Sequence, residues 1–309
     1  MPSHKILILM GLLAPACLTA CTSVDWQMPW ERAARPGEQA QLLQAPPAAG
    51  NWAQSTLRPY QTPALKPPKS RYFSVKGHGP VVAMTFDDGP RPWTMDLLDS
   101  LLQRNIKATF FVVGRSVATY PEVVQRIVAE GHEIANHTWS HPKNMARMPE
   151  RVVRKELQAC HDIIVKYTGV APRVFRPPGG SFTRAQSDWI YNEWDYVNIM
   201  WSVDPLDWKR PGAGVIRDRV VQGAHDGAII LAHDLHQPTV RAMPATLDAL
   251  VAQGYHFLRV SELLALDRPE AQLMVMPARI TTQPSPAADA NIEISGIPVV
   301  PARVLAPVE

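Results

Sequence analysis

The stretch Met84-Thr85-Phe86-Asp87-Asp88-Gly89-Pro90 sets two carboxylates side by side at the end of an apolar run. Val81-Val82-Ala83-Met84 reads as a buried strand, and Gly89-Pro90 ends it. Neighbouring side chains on a strand point to opposite faces, so adjacent acids converge on one site only where the strand gives way to a loop. Farther along stand His137 and His141, a His-x-x-x-His pair, and then His233-Asp234 after a second apolar run. An Asp, two spaced histidines and a spare Asp are the parts of a hydrolytic metal site. Two imidazoles and one carboxylate hold an ion and leave positions open for water and substrate. Pro142 disfavours helix at His141, so the second histidine should end a turn.

One carboxylate must bind the ion while the other stays free to move protons, and Asp87 and Asp88 could divide those duties. Two adjacent acids repel unless positive charge stabilises them, and Arg176 is the candidate. Hydrolysis also needs an acid for the leaving group. His233 is placed for that role, and Asp204 or Asp207 could hold its imidazolium charged. An oxyanion formed by attack on a carbonyl would be held by the metal and by a backbone N–H. Arg176-Pro177-Pro178-Gly179-Gly180 opens into glycines that allow such close approach. His132, upstream of the third strand, reads as structural.

The elements that must position these groups alternate. Strand-like runs are expected at 81–87, 108–113, 133–136, 174–176, 196–203, 227–232 and 255–260. Helical patterns are expected at 94–104, 121–130, 150–167, 184–193, 215–224 and 238–253. The fold class is therefore α/β: an incomplete (β/α) barrel of about seven parallel strands. In such barrels the loops after the strands build the active site. Asp87, His137, Arg176, Asp204 and His233 each fall at the C-terminal end of an expected strand, which argues for one shared site.

The remaining sequence bounds the setting. A net charge of +3 with no basic stripe gives no nucleic-acid signal. His4 and Lys5 precede a short apolar stretch ending in Leu18-Thr19-Ala20-Cys21. That tetrapeptide resembles the lipobox of bacterial lipoproteins, which would make 1–20 a signal peptide and Cys21 the lipidated residue. Thr22, not Asp, then follows the anchor, which favours the outer over the inner membrane. Residues 21–70 read as a Pro-rich tether that reaches on the order of tens of ångströms, 71–267 as the domain, and 268–309 as a Pro- and Ala-rich tail. A short strand at 291–294 is the tail's one structural signal. Cys160 has no disulfide partner and reads as a core residue. The nine tryptophans offer faces for sugar rings, although core packing explains any single one.

Together these strings resemble the polysaccharide deacetylases, the family-four carbohydrate esterases that share the nodulation-protein-B homology domain, over about residues 72 to 265. The resemblance makes Asp87 the general base and Asp88, His137 and His141 the metal ligands. It makes Arg176 the holder of the catalytic Asp, His233 the general acid and Asp207 the residue that tunes it. Pro178, Gly179, Trp208 and Leu231 would line the substrate site. The family often carries a bulky residue where Gly179 stands, so part of the groove wall would be missing. The resemblance implies a distorted (β/α) barrel and a divalent metal, usually zinc, with cobalt or nickel as substitutes. The reaction implied is hydrolysis of the acetamide of an N-acetylated polysaccharide, here peptidoglycan, a chitin-like glycan or an exopolysaccharide. A protein of this kind, held to a membrane by lipid, would work in the periplasm.

Three other readings use the same residues. An O-acetyl esterase acting on xylan would need the same metal site. A non-catalytic glycan-binding lipoprotein would not need the base, acid and arginine. A non-haem iron oxygenase also uses two His and a carboxylate, but on all-β barrels.

Overall fold

The computed structural model describes residues 67–76 and 78–267. The expected signal peptide, Cys21, nearly all of the tether, the tail and the strand at 291–294 lie outside the described residues. The described chain runs β1 (Arg71–Tyr72), β2 (Val81–Asp87), α1 (Thr94–Gln103), β3 (Thr109–Val112), α2 (Gly114–Thr119), α3 (Pro121–Ala129), β4 (Glu133–Asn136) and α4 (Glu150–Thr168). It continues with β5 (Val174–Phe175), α5 (Arg184–Trp194), β6 (Val197–Ile199), α6 (Ala213–Gly223), β7 (Ala228–His233), α7 (Gln237–Ala252), β8 (His256–Phe257) and α8 (Val260–Ala265).

The strands form one sheet in the order β1-β6-β5-β4-β3-β2-β7, with every ladder parallel and β8 paired to the start of β2. Single bridges complete the circle: Val203 pairs with Ile230 and Ser74 with Ala228 on β7. The result is a distorted barrel, as expected, with an eighth short strand. Alternation along each strand sorts the residues. Val82, Met84, Phe86, Phe110, Val112, Ile134, Ile230 and Ala232 face the helices and form the larger core. Ala83, Phe111, Ala135, Val174, Val197 and Ile229 fill the barrel, and Val260, Leu263 and Leu264 of α8 close its floor.

Two strand ends differ from expectation by more than two residues, and one helix is additional. The strand expected at 196–203 stops at Ile199, because the carbonyls of Ile199 and Met200 accept from the Arg176 side chain. The strand expected at 255–260 ends at Phe257, and Val260 begins a helix. Its first N–H groups are capped by barrel side chains, Val260 by Thr109 Oγ1 and Ser261 by Glu133 Oε2. Helix α2 has no counterpart among the expected elements. It has six residues, too few for a periodic signal. Helices with local punctuation fall near their expected bounds: α3 opens on Pro121, α4 ends at left-handed Gly169, and α5 carries a Thr183–Gln186 capping box. His132 is buried and its Nδ1 accepts from the Ala108 N–H, a structural role. Cys160 is buried in the core. No helix among the described residues is long and apolar enough to cross a membrane.

Candidate active site

Strand register brings the chemistry together. Asp87, the last residue of β2, is aligned with His233, the last residue of β7, and with Phe111 of β3. His137 follows β4 and keeps the ladder going, its N–H donating to Val112 O at 3.0 Å. Arg176 follows β5 and does the same, donating to Asn136 O at 3.0 Å. Aligned residues in a parallel sheet share a face, so Asp87 and His233 lie side by side at the C-terminal mouth.

Asp88 leaves the ladder with φ 74, a left-handed conformation that Asp tolerates better than most residues. That turn lets both carboxylates reach one site. Asp88 Oδ1 lies 3.2 Å from His137 Nε2 and 3.0 Å from His141 Nε2. One ligand atom from each residue falls within 4.8 Å of the others. The His137 Nδ1 is 2.7 Å from the Arg176 carbonyl and must carry the proton, which leaves Nε2 a lone pair. Asp88 Oδ1 is buried without a hydrogen-bond donor. Lone pairs thus face one another at contact distance, an arrangement that positive charge must stabilise. Burial would raise the Asp88 carboxyl, yet positive charge on the two imidazoles would hold it well below the usual carboxylate range. Asp88 in turn raises His141 against the opposing effect of burial. A divalent metal ion fits this N₂O donor set, with positions left for water and substrate.

The loop between the histidines is pinned from below. Ser140 donates through N and Oγ to the Glu156 carboxylate of α4, Trp139 N–H to the Glu156 carbonyl, and Thr138 N–H to Asn136 Oδ1. Sequence reading missed Glu156 and Asn136, because a helix-borne Glu and a strand-end Asn carry no local sign of the loop they brace.

Arg176 is fully buried. Its Nη1 donates to Asp87 Oδ1 at 2.7 Å and to Thr85 Oγ1 at 2.8 Å, while Nε and Nη2 donate to Ile199 O and Met200 O. The guanidinium also lies over the Phe111 ring, 4.1 Å from its centroid. One Asp87 oxygen is thereby held, and the other, Oδ2, stands 3.8 Å from His137 Nε2 on the metal side. Burial pulls the Arg176 guanidinium below its ordinary value, and Asp87 opposes it.

Asp207, not Asp204, partners His233. Its buried carboxylate accepts from His233 Nδ1 at 2.7 Å, the His233 N–H at 2.8 Å, Thr239 Oγ1 at 2.8 Å and the Trp208 N–H at 3.0 Å. Burial alone would lower His233, but the hydrogen bond and charge of Asp207, with Asp87 and Asp88 behind, raise it to about 9. A bound dication would offset the two latter charges and bring it back toward neutrality. Asp204 caps the adjacent turn by accepting from the Leu206 N–H.

The other expected site residues are spread around this centre. Pro178 is buried, and Gly179 has φ 60 with open space where a side chain would stand. Trp208 is 50 % exposed beside Asp207. Leu231 points inward in register with Thr85, one layer below His233, and is 3 % exposed. Asp234 lies outside the expected site residues, yet it ties the loop after β7 to the start of α1. Its carboxylate accepts from Thr94 Oγ1, its carbonyl accepts from the Trp93 indole, and it presses so close to Gly89 that a Cβ there would sit 2.2 Å from Oδ2. Burial, with the nearby Asp88 and Asp87 charges, pushes its carboxyl up to about 7. A clue lay in the sequence: an acid directly after His233 and a glycine directly after Asp88.

Comparisons with known proteins agree with this geometry. The polysaccharide deacetylase family profile matches residues 74–199. The chain is 39 % identical over 183 residues to the peptidoglycan-N-acetylglucosamine deacetylase PgdA of Listeria monocytogenes, covering 59 % of this chain and 38 % of that one. It is 40 % identical over 184 residues to the peptidoglycan-N-acetylmuramic acid deacetylase PdaC of Bacillus subtilis, again 59 % and 38 %. The chain therefore matches well under half the length of these two relatives. The crystal structure of the Bc1960 peptidoglycan N-acetylglucosamine deacetylase superposes with a TM-score of 0.60 at 34 % identity, over 63 % of this chain and 92 % of that one. With the ordered motifs, the barrel and the convergent Asp-His-His cluster in agreement, this chain belongs to the polysaccharide deacetylase family.

Proposed function

We propose that the protein is a metal-dependent hydrolase that removes acetyl groups from N-acetylated amino sugars of a cell-envelope polysaccharide, with peptidoglycan as the substrate class. The observation that carries this reading is the juxtaposition at one barrel mouth of two hydrogen-bonded dyads, Arg176–Asp87 and Asp207–His233, around the Asp88-His137-His141 cluster. A divalent ion there, zinc in this reading, supplies Lewis-acid polarisation and makes water more acidic. Asp87, aimed by the Arg176 guanidinium, takes the proton from the attacking water. The water oxygen bonds to the acetyl carbon as the carbonyl oxygen gains charge, and the Gly179 N–H stabilises that oxyanion. His233, held by Asp207, gives its proton to the nitrogen as the C–N bond breaks, releasing acetate and a free amine. Trp208 offers an exposed ring for a neighbouring sugar, and Pro178 and Leu231 shape the acetyl pocket.

The names of the relatives support peptidoglycan. Lipidation at Cys21 would anchor the chain to a membrane, the outer one in this reading, and the tether would let the domain reach the periplasmic cell wall. The test is product analysis. Metal-loaded protein is incubated with peptidoglycan fragments, chitin oligomers and acetylated xylan. Equal amounts of acetate and new primary amine, lost in Asp87→Asn, are expected. Acetate from xylan without amine would mean an O-acetyl esterase, and no product from any glycan would reject the reading.

A further inference from the structure

On the metal side of the mouth a cavity of about 350 Å³ is lined by Asp88, His141, Ser140, Ser116, Arg91 and Arg115, among others. Asp88 and His141 are already committed to the cation cluster. The two arginine side chains have no such commitment among the described residues. Neither makes an ion pair among the described residues, and the Arg91 Nε is buried without a hydrogen-bond partner. An unpartnered guanidinium nitrogen out of water is costly unless a ligand supplies its acceptor.

Both side chains grow from backbone that is fixed relative to the metal ligands. Arg91 lies three residues after Asp88, its N–H donating to Thr94 Oγ1 and its carbonyl accepting from the Thr94 N–H. Arg115 is the second residue of α2, and its N–H donates to the Trp139 carbonyl in the loop between the two histidines. The neighbouring Gly114 N–H donates to Thr138 O, and a Cβ at Gly114 would sit 2.5 Å from the Trp139 ring. So the arginine roots move with the site and not with a free loop. Planar guanidinium groups match carboxylates through paired N–H donors.

We infer that Arg91 and Arg115 form an anion subsite beside the reaction centre, which selects glycans carrying a carboxylate close to the attacked acetamide over neutral ones. This rests on the proposed deacetylase reading and names its substrate more closely. In peptidoglycan the carboxylate has two sources: the lactyl ether of muramic acid, next to its acetamide, and the stem peptide. A neutral chitin-like polymer offers neither.

The test compares four ligands: chitin oligomers, peptide-free glycan strands, the same strands with their lactyl carboxyls reduced to alcohols, and strands bearing stem peptides. Binding is measured by calorimetry on Asp87→Asn protein loaded with zinc, and turnover on protein with native Asp87. Carboxylate-bearing strands should bind about tenfold tighter than their reduced counterparts, and the preference should shrink with salt. In Arg91→Gln/Arg115→Gln the preference should collapse by about the same factor, and Arg91→Lys/Arg115→Lys should restore part of it. A preference only for peptide-free strands assigns the subsite to the lactyl carboxylate, and one only for peptide-bearing strands assigns it to the stem. A preference unchanged in the double Gln variant, or absent in the wild type, overturns the inference and leaves the deacetylase reading standing. Discrimination in binding without acetate release from any strand overturns that reading and leaves the anion subsite.

Discussion

Replacing Asp207 with Asn tests the acid dyad most directly. In the wild type the Asp207 carboxylate accepts four hydrogen bonds, two of them from His233, and helps raise His233 to about 9. Relative to an ordinary imidazole near 6.5, that favours the protonated form by roughly 3 kcal/mol. An amide cannot supply the charge, so burial prevails and His233 falls to 6.5 or below. A general acid works only when protonated, so activity is lost as pH rises through its pKa. With these values the protonated fraction at pH 8 drops from about 0.9 to about 0.03, a loss of about thirtyfold, while at pH 6 the loss is less than about twofold. A bound dication narrows the interval but keeps its sign. The assay is kcat from pH 5.5 to 9 with saturating zinc, alongside metal content and thermal midpoint. A deficit that stays constant across this range, with metal content intact, would refute the assignment of Asp207 as the group that keeps His233 charged. The dyad also contributes stability. Because the folded value is raised, that contribution is full below about 6.5 and disappears as pH climbs through about 9.

Three other perturbations have distinct signatures. Arg176→Met leaves the buried Asp87 carboxylate uncompensated, so denaturant unfolding should show a loss of about 3–5 kcal/mol and deacetylation should be abolished. His141→Ala should lose bound metal by elemental analysis and the zinc-induced rise in thermal midpoint, whereas His233→Ala should keep its metal while kcat falls about 100-fold or more. Gly89→Ala forces a Cβ into the Asp234 carboxylate, so its thermal midpoint should drop by the equivalent of about 1–3 kcal/mol, and Gly89→Ala/Asp234→Ala should recover part of the loss.

The sequence by itself determined the architecture and most of the centre. Strand and helix periods alternate plainly, so a parallel barrel with its polar groups at strand ends followed from local pattern. Asp87, Asp88, His137, Arg176 and His233 are legible for the same reason: each follows an apolar run, and strand ends in such a barrel share one mouth. Tertiary structure decided what local pattern cannot encode. It chose Asp207 over Asp204, because only Asp207 is carried against His233 by the packing of β7 and α7. It ended β6 early, because a side chain from β5 took the carbonyls a longer ladder would have used. It recruited Glu156, Asn136 and Asp234, residues whose partners lie on other elements or across the barrel. It also left Arg91 and Arg115 lining a cavity without an ion-pair partner among the described residues. A motif records which groups a strand end can present; which charges finish paired depends on distances between segments far apart in the chain, and only the packed barrel sets those.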